Sequence, residues 1–363
     1  MSADIITETN KDLLSYIDDN IYNLADIEEL LNKILPDILT KYCQNDFTFS
    51  IKVYHKLIKT KNIIPNQLIF TYLIGFCKHD SIQASYLYYE MRRLKQTPDT
   101  KIFNLLLFCH KHNKQRCIDI YTEMKLLKIK RNSVTYNSLI AACKNDFILA
   151  TKFFNKIIKH FGKVYEIVPY NALINCCYNN LPQAFIFYDE IKSNNIEPTI
   201  ITFTSLVKCC QDNNIPLVLK LCNDMKILNI EPDSSFYSVL LHSMKRNHNQ
   251  VIKIYKEMIS KNFIPTIMTY NFLITCFKNN FEESLFFYTE IKRNNILPTI
   301  ITFNCLINCC RNNKRKALIF YKEMLKLNIQ PNTITYNTLL SILKQDSAIF
   351  TKLCEEKRKL EED

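Results

Sequence analysis

Pro298-Thr-Ile-Ile-Thr-Phe-Asn304 and, 33 residues later, Pro331-Asn-Thr-Ile-Thr-Tyr-Asn337 are two copies of one phrase. Further copies occur at Pro265-Thr-Ile-Met-Thr-Tyr-Asn271 and Pro198-Thr-Ile-Ile-Thr-Phe-Thr204. A near-constant spacing of 33 to 34 residues marks a chain built from stacked repeats. A segment of that size cannot bury its own apolar face, so each must lie against its neighbours. Such an array grows in one direction without a single central core.

Counted from the second residue after its Pro, eight full repeats begin near Gln67, Thr100, Ser133, Ile167, Ile200, Ser234, Ile267 and Ile300. The expected organisation is an acidic, partly helical segment over 1–32, a degenerate first repeat over 33–66, eight helical hairpins over 67–332, and a half repeat with a charged cap over 333–363. In the repeat from Ile300, Thr302 reads as an N-cap. Phe303, Leu306, Ile307 and Cys310 follow at i, i+3, i+4 and i+7, the spacing of an apolar helix stripe. Arg311-Asn312-Asn313 breaks that stripe as a turn, and a second helix runs through Ala317, Phe320, Tyr321, Met324 and Leu325. Asn328 suits the left-handed position that ends a helix, and Pro331 blocks continuation. Small or compact residues recur in the second helix at Ala84, Cys117, Ala150, Ala184, Val218, Val251, Ser284 and Ala317, which lets paired helices approach closely. The predicted fold is all-α, a superhelical α-solenoid of stacked helix-turn-helix pairs.

Composition narrows the chemistry. The chain has 363 residues and only two glycines, Gly75 and Gly162, which argues against Gly-rich phosphate loops and hairpin-rich β architecture. Its net charge is +12, but residues 1–33 carry −6, leaving +18 for the remainder. A basic body favours a polyanionic partner. The cysteines number 15, and Cys77, Cys143, Cys177, Cys210 and Cys310 share one place in the repeat. A residue locked to the repeat phase reads as a small packing group, so no disulfides and a reducing compartment are expected. No apolar run has membrane-spanning length. Asp4, Glu8, Asp12, Asp18 and Asp19 precede the first Arg, Arg92, unlike an Arg-rich presequence. This favours a cytoplasmic location, with a mitochondrial one as the alternative. No metal, cofactor or catalytic residue is expected. Cys109, His110 and His112 with Cys117 could be read as metal ligands, but Cys109 and Cys117 sit in repeat-phased helix positions, so zinc is not the reading.

Three places of the first helix fall at i, i+4 and i+7 and so share a face. The leading place holds Thr71, Asn104, Asn137, Asn171, Thr204, Ser238, Asn271, Asn304 and Asn337, all small hydrogen-bonding residues. The middle place is mixed. The third is largely basic, with Lys78, Lys111, Lys144, Lys245, Lys278, Arg311 and Lys344, interrupted by Tyr178 and Gln211. A single Asn near a helix start, or a single Lys near its end, is what capping and the helix dipole alone produce. Nine successive Asn, Thr or Ser residues are not. Stacked, the places make one polar stripe and one cationic stripe, the layout of base edges and phosphates in an unpaired strand.

The phrases Thr135-Tyr136-Asn137-Ser138-Leu139-Ile140 and Thr335-Tyr336-Asn337-Thr338-Leu339-Leu340, and the close Tyr321-Lys322-Glu323-Met324 before Pro331, resemble pentatricopeptide repeat proteins over about residues 33–345. That resemblance implies single-stranded RNA binding with one base per repeat. It implies that the leading residue bonds the base and that the residue just after Pro helps to choose it. Those second residues are Asp99, Asn132, Thr199, Asp233, Thr266, Thr299 and Asn332, with Glu166 following Asn137. It also implies base packing by Leu68, Val134, Val168, Ile201, Met268, Ile301 and Ile334. Lys101 and Ser235 depart from that pattern, and most repeats lack two residues of the usual 35. By the family's pairing rules Thr71 with Asp99 and Thr204 with Asp233 look like guanine readers. Asn104 with Asn132 and Asn304 with Asn332 look like pyrimidine readers, Asn171 with Thr199 and Asn271 with Thr299 lean to pyrimidine, and Ser238 with Thr266 leans to purine. The implied site is near 5′-G-Y-Y-Y-G-R-Y-Y-3′. The expected protein is a monomer without catalysis of its own, acting in RNA processing, stability or translation, with a separate processing enzyme as a further partner. The alternative is a helical-repeat scaffold that grips protein segments.

Overall fold

The structure is a computed structural model, and it describes residues 51, 52, 54, 55, 64–144, 146–178, 180–210, 214–343, 351, 353–355, 357 and 358. The acidic segment 1–32, most of the degenerate repeat 33–66, Lys344 and most of the charged cap lie outside the described residues. The chain divides into two compact bodies, Met1–Glu197 and Pro198–Asp363.

In the first body the helices are α1 (Gln67–Phe76), α2 (Ser81–Arg93), α3 (Thr100–Cys109), α4 (Lys114–Leu126), α5 (Ser133–Ala142), α6 (Phe147–Phe161), α7 (Ile167–Cys176) and α8 (Leu181–Ser193). In the second they are α9 (Ile200–Cys209), α10 (Ile215–Ile227), α11 (Ser234–Ser243), α12 (His248–Ser260), α13 (Ile267–Cys276), α14 (Phe281–Arg293), α15 (Ile300–Cys309), α16 (Lys314–Lys326) and α17 (Thr333–Leu343). Odd-numbered helices open a repeat and even-numbered helices close it. Within each body, an opening helix packs on its own closing helix and on the next opening helix, α11 meeting α13 through Ser238 with Thr269 and the stacked rings of His242 and Phe272. Each body is therefore an α-solenoid of helix pairs, and no strand occurs among the described residues.

The caps explain why the helices start where they do. Each closing helix is preceded by Asp or Asn, and the side chains of Asp80, Asn113, Asp146, Asn180, Asn247, Asn280 and Asn313 accept backbone N–H groups of the first turn. The opening helices use the residue before their first in the same way, as at Asp99, Asn132, Asp233 and Thr266. Each such cap contributes about 1 kcal/mol. The expected cap at Thr302 is displaced: α15 is capped by Thr299, and Thr302, three residues on, returns its hydroxyl to the Thr299 N–H as a capping box. The box satisfies two orphan amides at once, which a lone cap at Thr302 would not.

The closing helices end as the Asn residues suggest. Asn195, Asn229, Asn262, Asn295 and Asn328 all have φ between 52° and 61°, and Lys95 and Lys128 take the same conformation in the earliest repeats. After α16 the Asn328 N–H bonds to Leu325 and the Ile329 N–H reaches back to Met324, closing the last turn.

The small residues of the closing helices, from Ala84 to Ala317, are fully or almost fully buried. Burial also accounts for the phased cysteines. The Cys77 Sγ points at the Leu73 carbonyl, 3.2 Å away, and loss of solvent pushes its pKa up to about 12. Among the described residues every cysteine is a free thiol. Cys117 approaches the His110 carbonyl at 3.3 Å, while His110 Nε2 lies 2.9 Å from the Ser85 hydroxyl. Among the described residues no helix is long and apolar enough to cross a membrane.

Candidate nucleic-acid interface

Each opening helix is ten residues long, apart from α17. Its second residue, its fifth (the leading place) and its ninth (the middle place) fall on one face. The second residues form an apolar series in contact with solvent: Val134, Val168, Ile201, Met268, Ile301 and Ile334 are all more than half exposed, and Leu68 is half-buried. Lys101 and Ser235 are exposed at the equivalent place. Isoleucine and methionine at 59% and 77% exposure would ordinarily be drawn inward, so their recurrence at one helical position marks a surface kept open for contact.

The leading residues are less exposed than a surface stripe requires. Thr71, Asn171, Thr204 and Asn271 are buried, Asn104, Asn137, Ser238 and Asn304 are half-buried, and Asn337 alone is exposed. Within each body the physical cause is the closeness of consecutive opening helices, which sinks the fifth residue into the cleft between them.

In two of these clefts the leading residue meets the cap of the next opening helix. Asn104 Nδ2 donates to Asn132 Oδ1 at 3.1 Å, and Asn104 Oδ1 accepts the Thr135 hydroxyl at 2.7 Å. The same triad recurs 200 residues later: Asn304 Nδ2 donates to Asn332 Oδ1 at 3.3 Å, and Thr335 donates to Asn304 Oδ1 at 2.7 Å. In each, the cap oxygen also accepts the backbone N–H of the Thr. One proton and one lone pair remain on the leading amide after these bonds.

Where the leading residue carries a hydroxyl, the chemistry differs. Thr71 donates to the Gln67 carbonyl at 2.9 Å and Thr204 to that of Ile200 at 2.7 Å. Each hydroxyl has spent its only proton inside its helix and retains only acceptor capacity. The caps beyond them, Asp99 and Asp233, use Oδ1 on the backbone of Ile102 and Phe236, apolar residues where the helices capped by Asn132 and Asn332 have Thr. Ser238 donates to the Ser234 carbonyl and lies 3.3 Å from the Thr269 hydroxyl. In the repeat from Ile267, Thr299 and Thr302 bond one another, and the buried Asn271 Oδ1 is left without a partner. The buried Asn137 Oδ1 lacks one too.

The third place does not continue the helix. Lys78, Lys111, Lys144, Lys245, Lys278 and Arg311 each follow the last helical residue by two and sit in the turn before the closing helix. The turn forms there because the next helix takes its Asp or Asn cap two residues further on, which reverses the chain. Lys111 is half-buried with its ammonium 4.6 Å from the centre of the Phe108 ring, and the other five are exposed. Arg311 donates to Asn308 Oδ1 at 2.7 Å, so the middle place helps to hold the cation. Tyr178 is half exposed in the same series, whereas Lys344 and Gln211 lie outside the described residues.

Sequence reasoning gives this place of the repeat only a capping role, as at Thr302, and does not single out Thr135 and Thr335. Their second role, holding the leading amide, has a faint sequence signal: Thr occupies this place before Asn137, Thr204, Asn271, Asn304 and Asn337, and is replaced by Ile102 and Phe236 where the preceding cap is Asp.

A family model for the pentatricopeptide repeat domain matches residues 86–146, 158–213, 220–280 and 287–346. Among solved structures, the pentatricopeptide repeat protein PPR10 from maize is similar at 17% identity with a TM-score of 0.64, over 85% of this chain and 51% of that one. This chain therefore spans about half the length of PPR10. PPR10 in complex with an 18-nt psaJ RNA element matches at 16% identity, TM-score 0.45 and the same coverage. The PPR domain of Arabidopsis thaliana protein-only RNase P 1 in complex with tRNA matches at 13% identity and TM-score 0.42, over 47% of this chain and 95% of that one. No curated protein matches. With a helix-pair solenoid in each body and four family-model matches that together cover more than half of its length, the chain belongs to the pentatricopeptide repeat family.

Proposed function

We propose that this protein binds single-stranded RNA, one base per repeat, through the leading residue and the cap that follows it. The observation that carries the reading is the hydrogen bond between those two residues. Asn104 with Asn132 and Asn304 with Asn332 are 28 residues apart in sequence, yet the members of each pair hold one another, so they act on a ligand as one polar unit. An Asn–Asn pair offers both a donor and an acceptor, which suits a pyrimidine edge. A Thr–Asp pair offers acceptors only, which suits the N1–H and N2–H groups of guanine. The orphaned oxygens of Asn137 and Asn271 are of the same kind: a buried acceptor without a partner is costly, and a base donor relieves that cost. The exposed apolar residues at the second place supply a surface for the base faces. The cations of the turns meet phosphates.

In this reading the protein acts by occupying RNA, and its effects on processing, stability or translation follow from blocking exonucleases, opening hairpins or bringing a separate enzyme to the transcript. Fluorescence anisotropy with an RNA of the form 5′-G-Y-Y-Y-G-R-Y-Y-3′, a scrambled RNA and the matching DNA tests it. The first should bind at least tenfold tighter than the others. Equal binding of all three defeats base reading, and tighter binding of an acidic peptide returns the helical scaffold as the better account.

A further inference from the structure

One closing helix breaks a rule that the others obey. Four residues after its small contact residue, the closing helix carries an aromatic ring: Tyr88, Tyr121, Phe154, Tyr188, Tyr255, Tyr288 and Tyr321. All seven rings are buried. In α10 the place belongs to Cys222. A thiol is far smaller than a phenol, and the surroundings do not close over the difference. A cavity of about 310 Å³ lies between α10, α11 and α12, with Cys222, Met225, Phe236, Leu240 and Met244 in its wall. An apolar hole of roughly 150 Å³ already admits a benzene-sized ring.

The polar end of the cavity has a counterpart in two other repeats. There the tyrosine at this place donates to the glutamate 35 residues on, from Tyr88 to Glu123 and from Tyr288 to Glu323, whereas Tyr121 meets Lys156 at the same spacing, which donates to its hydroxyl at 3.0 Å. The glutamate 35 residues after Cys222 is Glu257, and it lines the cavity. Glu123 and Glu323 are half-buried under their tyrosines, whereas Glu257 is exposed. Its Oε1 accepts from Tyr237 at 3.0 Å, and a carboxylate has capacity for more than one donor. Hence the site keeps the ring slot and the acceptor but lacks the ring.

We propose that the cavity between α10, α11 and α12 is a binding site for a small phenolic molecule, whose ring takes the place of the missing tyrosine and whose hydroxyl donates to Glu257. The wall around Cys222, Met225, Phe236, Leu240 and Met244 is apolar, as a flat hydrocarbon face requires; Lys226, Asn229, Glu231, Gln250, Lys253 and Lys261 line the rest, and the bond to Glu257 orients the ring. This site is separate from the leading residues, and the proposal does not depend on RNA binding.

Titration of the full chain, carrying 13C-methyl methionine, with p-cresol and with toluene tests the proposal. The methyl signals of Met225 and Met244 should shift saturably, and p-cresol should bind about tenfold tighter than toluene, the worth of a hydrogen bond to a charged acceptor. Glu257→Gln, a surface change that leaves packing intact, should bring p-cresol close to toluene while leaving toluene unchanged. Cys222→Tyr should fill the slot, abolish binding of both and raise the unfolding midpoint. Absence of saturable shifts at Met225 and Met244 overturns the site, as does undiminished binding by a folded Cys222→Tyr variant. Equal affinity for p-cresol and toluene overturns the phenol assignment.

Discussion

The hydroxyl of Thr335 donates to the carboxamide oxygen of Asn304 at 2.7 Å, joining α17 to α15. The contact fixes which end of the Asn304 amide points to Asn332, because an amide that accepts from Thr335 must turn its NH2 the other way. Thr135 and Asn104 repeat the arrangement. A cap residue is thereby made a positioning residue for a proposed base reader. Thr335→Ala should lower affinity for an RNA with a pyrimidine at the matching nucleotide by about fivefold, the worth of roughly 1 kcal/mol. Thr335→Ser should restore it. Anisotropy against RNAs varied at that one position decides the matter, and an unchanged profile for the Ala variant removes Thr335 from recognition.

The pair itself can be exchanged. Asn304→Thr with Asn332→Asp converts a donor–acceptor pair into an acceptor-only pair like Thr204 with Asp233. The Asp still caps α17, so the fold should survive. Preference at one nucleotide is expected to move from pyrimidine toward guanine, read by selection from a randomised RNA pool. A pool that returns the wild-type motif rejects the assignment of these two residues.

Six described cations, Lys78, Lys111, Lys144, Lys245, Lys278 and Arg311, occupy equivalent turns. If each meets one phosphate, log K should fall with log salt at a slope near −4, by the roughly −0.7 per contact of single strands. Lys278→Ala should make the slope shallower by about 0.7 without changing base preference. A flat salt response takes the turns out of the interface.

Asn328 ends α16 at φ 56°, a conformation that costs an L-residue with a Cβ about 1 kcal/mol unless its side chain tolerates it. Asn328→Ala is therefore expected to destabilise the second body by about 1 kcal/mol, and Asn328→Gly to leave it unchanged or slightly more stable. Urea unfolding followed by circular dichroism measures both. Equal loss in the two variants points to the Asn amide rather than the backbone angle.

Much of this was legible in the chain. The 33-residue period, the apolar i, i+3, i+4 spacing, the Asp or Asn before each closing helix and the Asn after it are local patterns, and local patterns are written in adjacent residues. That is why helices start at Gln67, Thr100 and Ile300, and why Asn195, Asn229 and Asn328 take the left-handed conformation. The leading polar residues and the phased cations were visible for the same reason.

Tertiary structure decided what those residues touch. Partners 28 and 31 residues apart meet only when two helices pack at a particular separation and tilt, and hydrogen bonds near 3 Å are sensitive to both. So the sinking of Asn271 into its cleft, the bond from Asn104 to Asn132 and the survival of a cavity beside Cys222 all follow from packing, not from periodicity. Sequence fixes the spacing of side chains along one helix; the distance between helices fixes which of them remain available to a ligand.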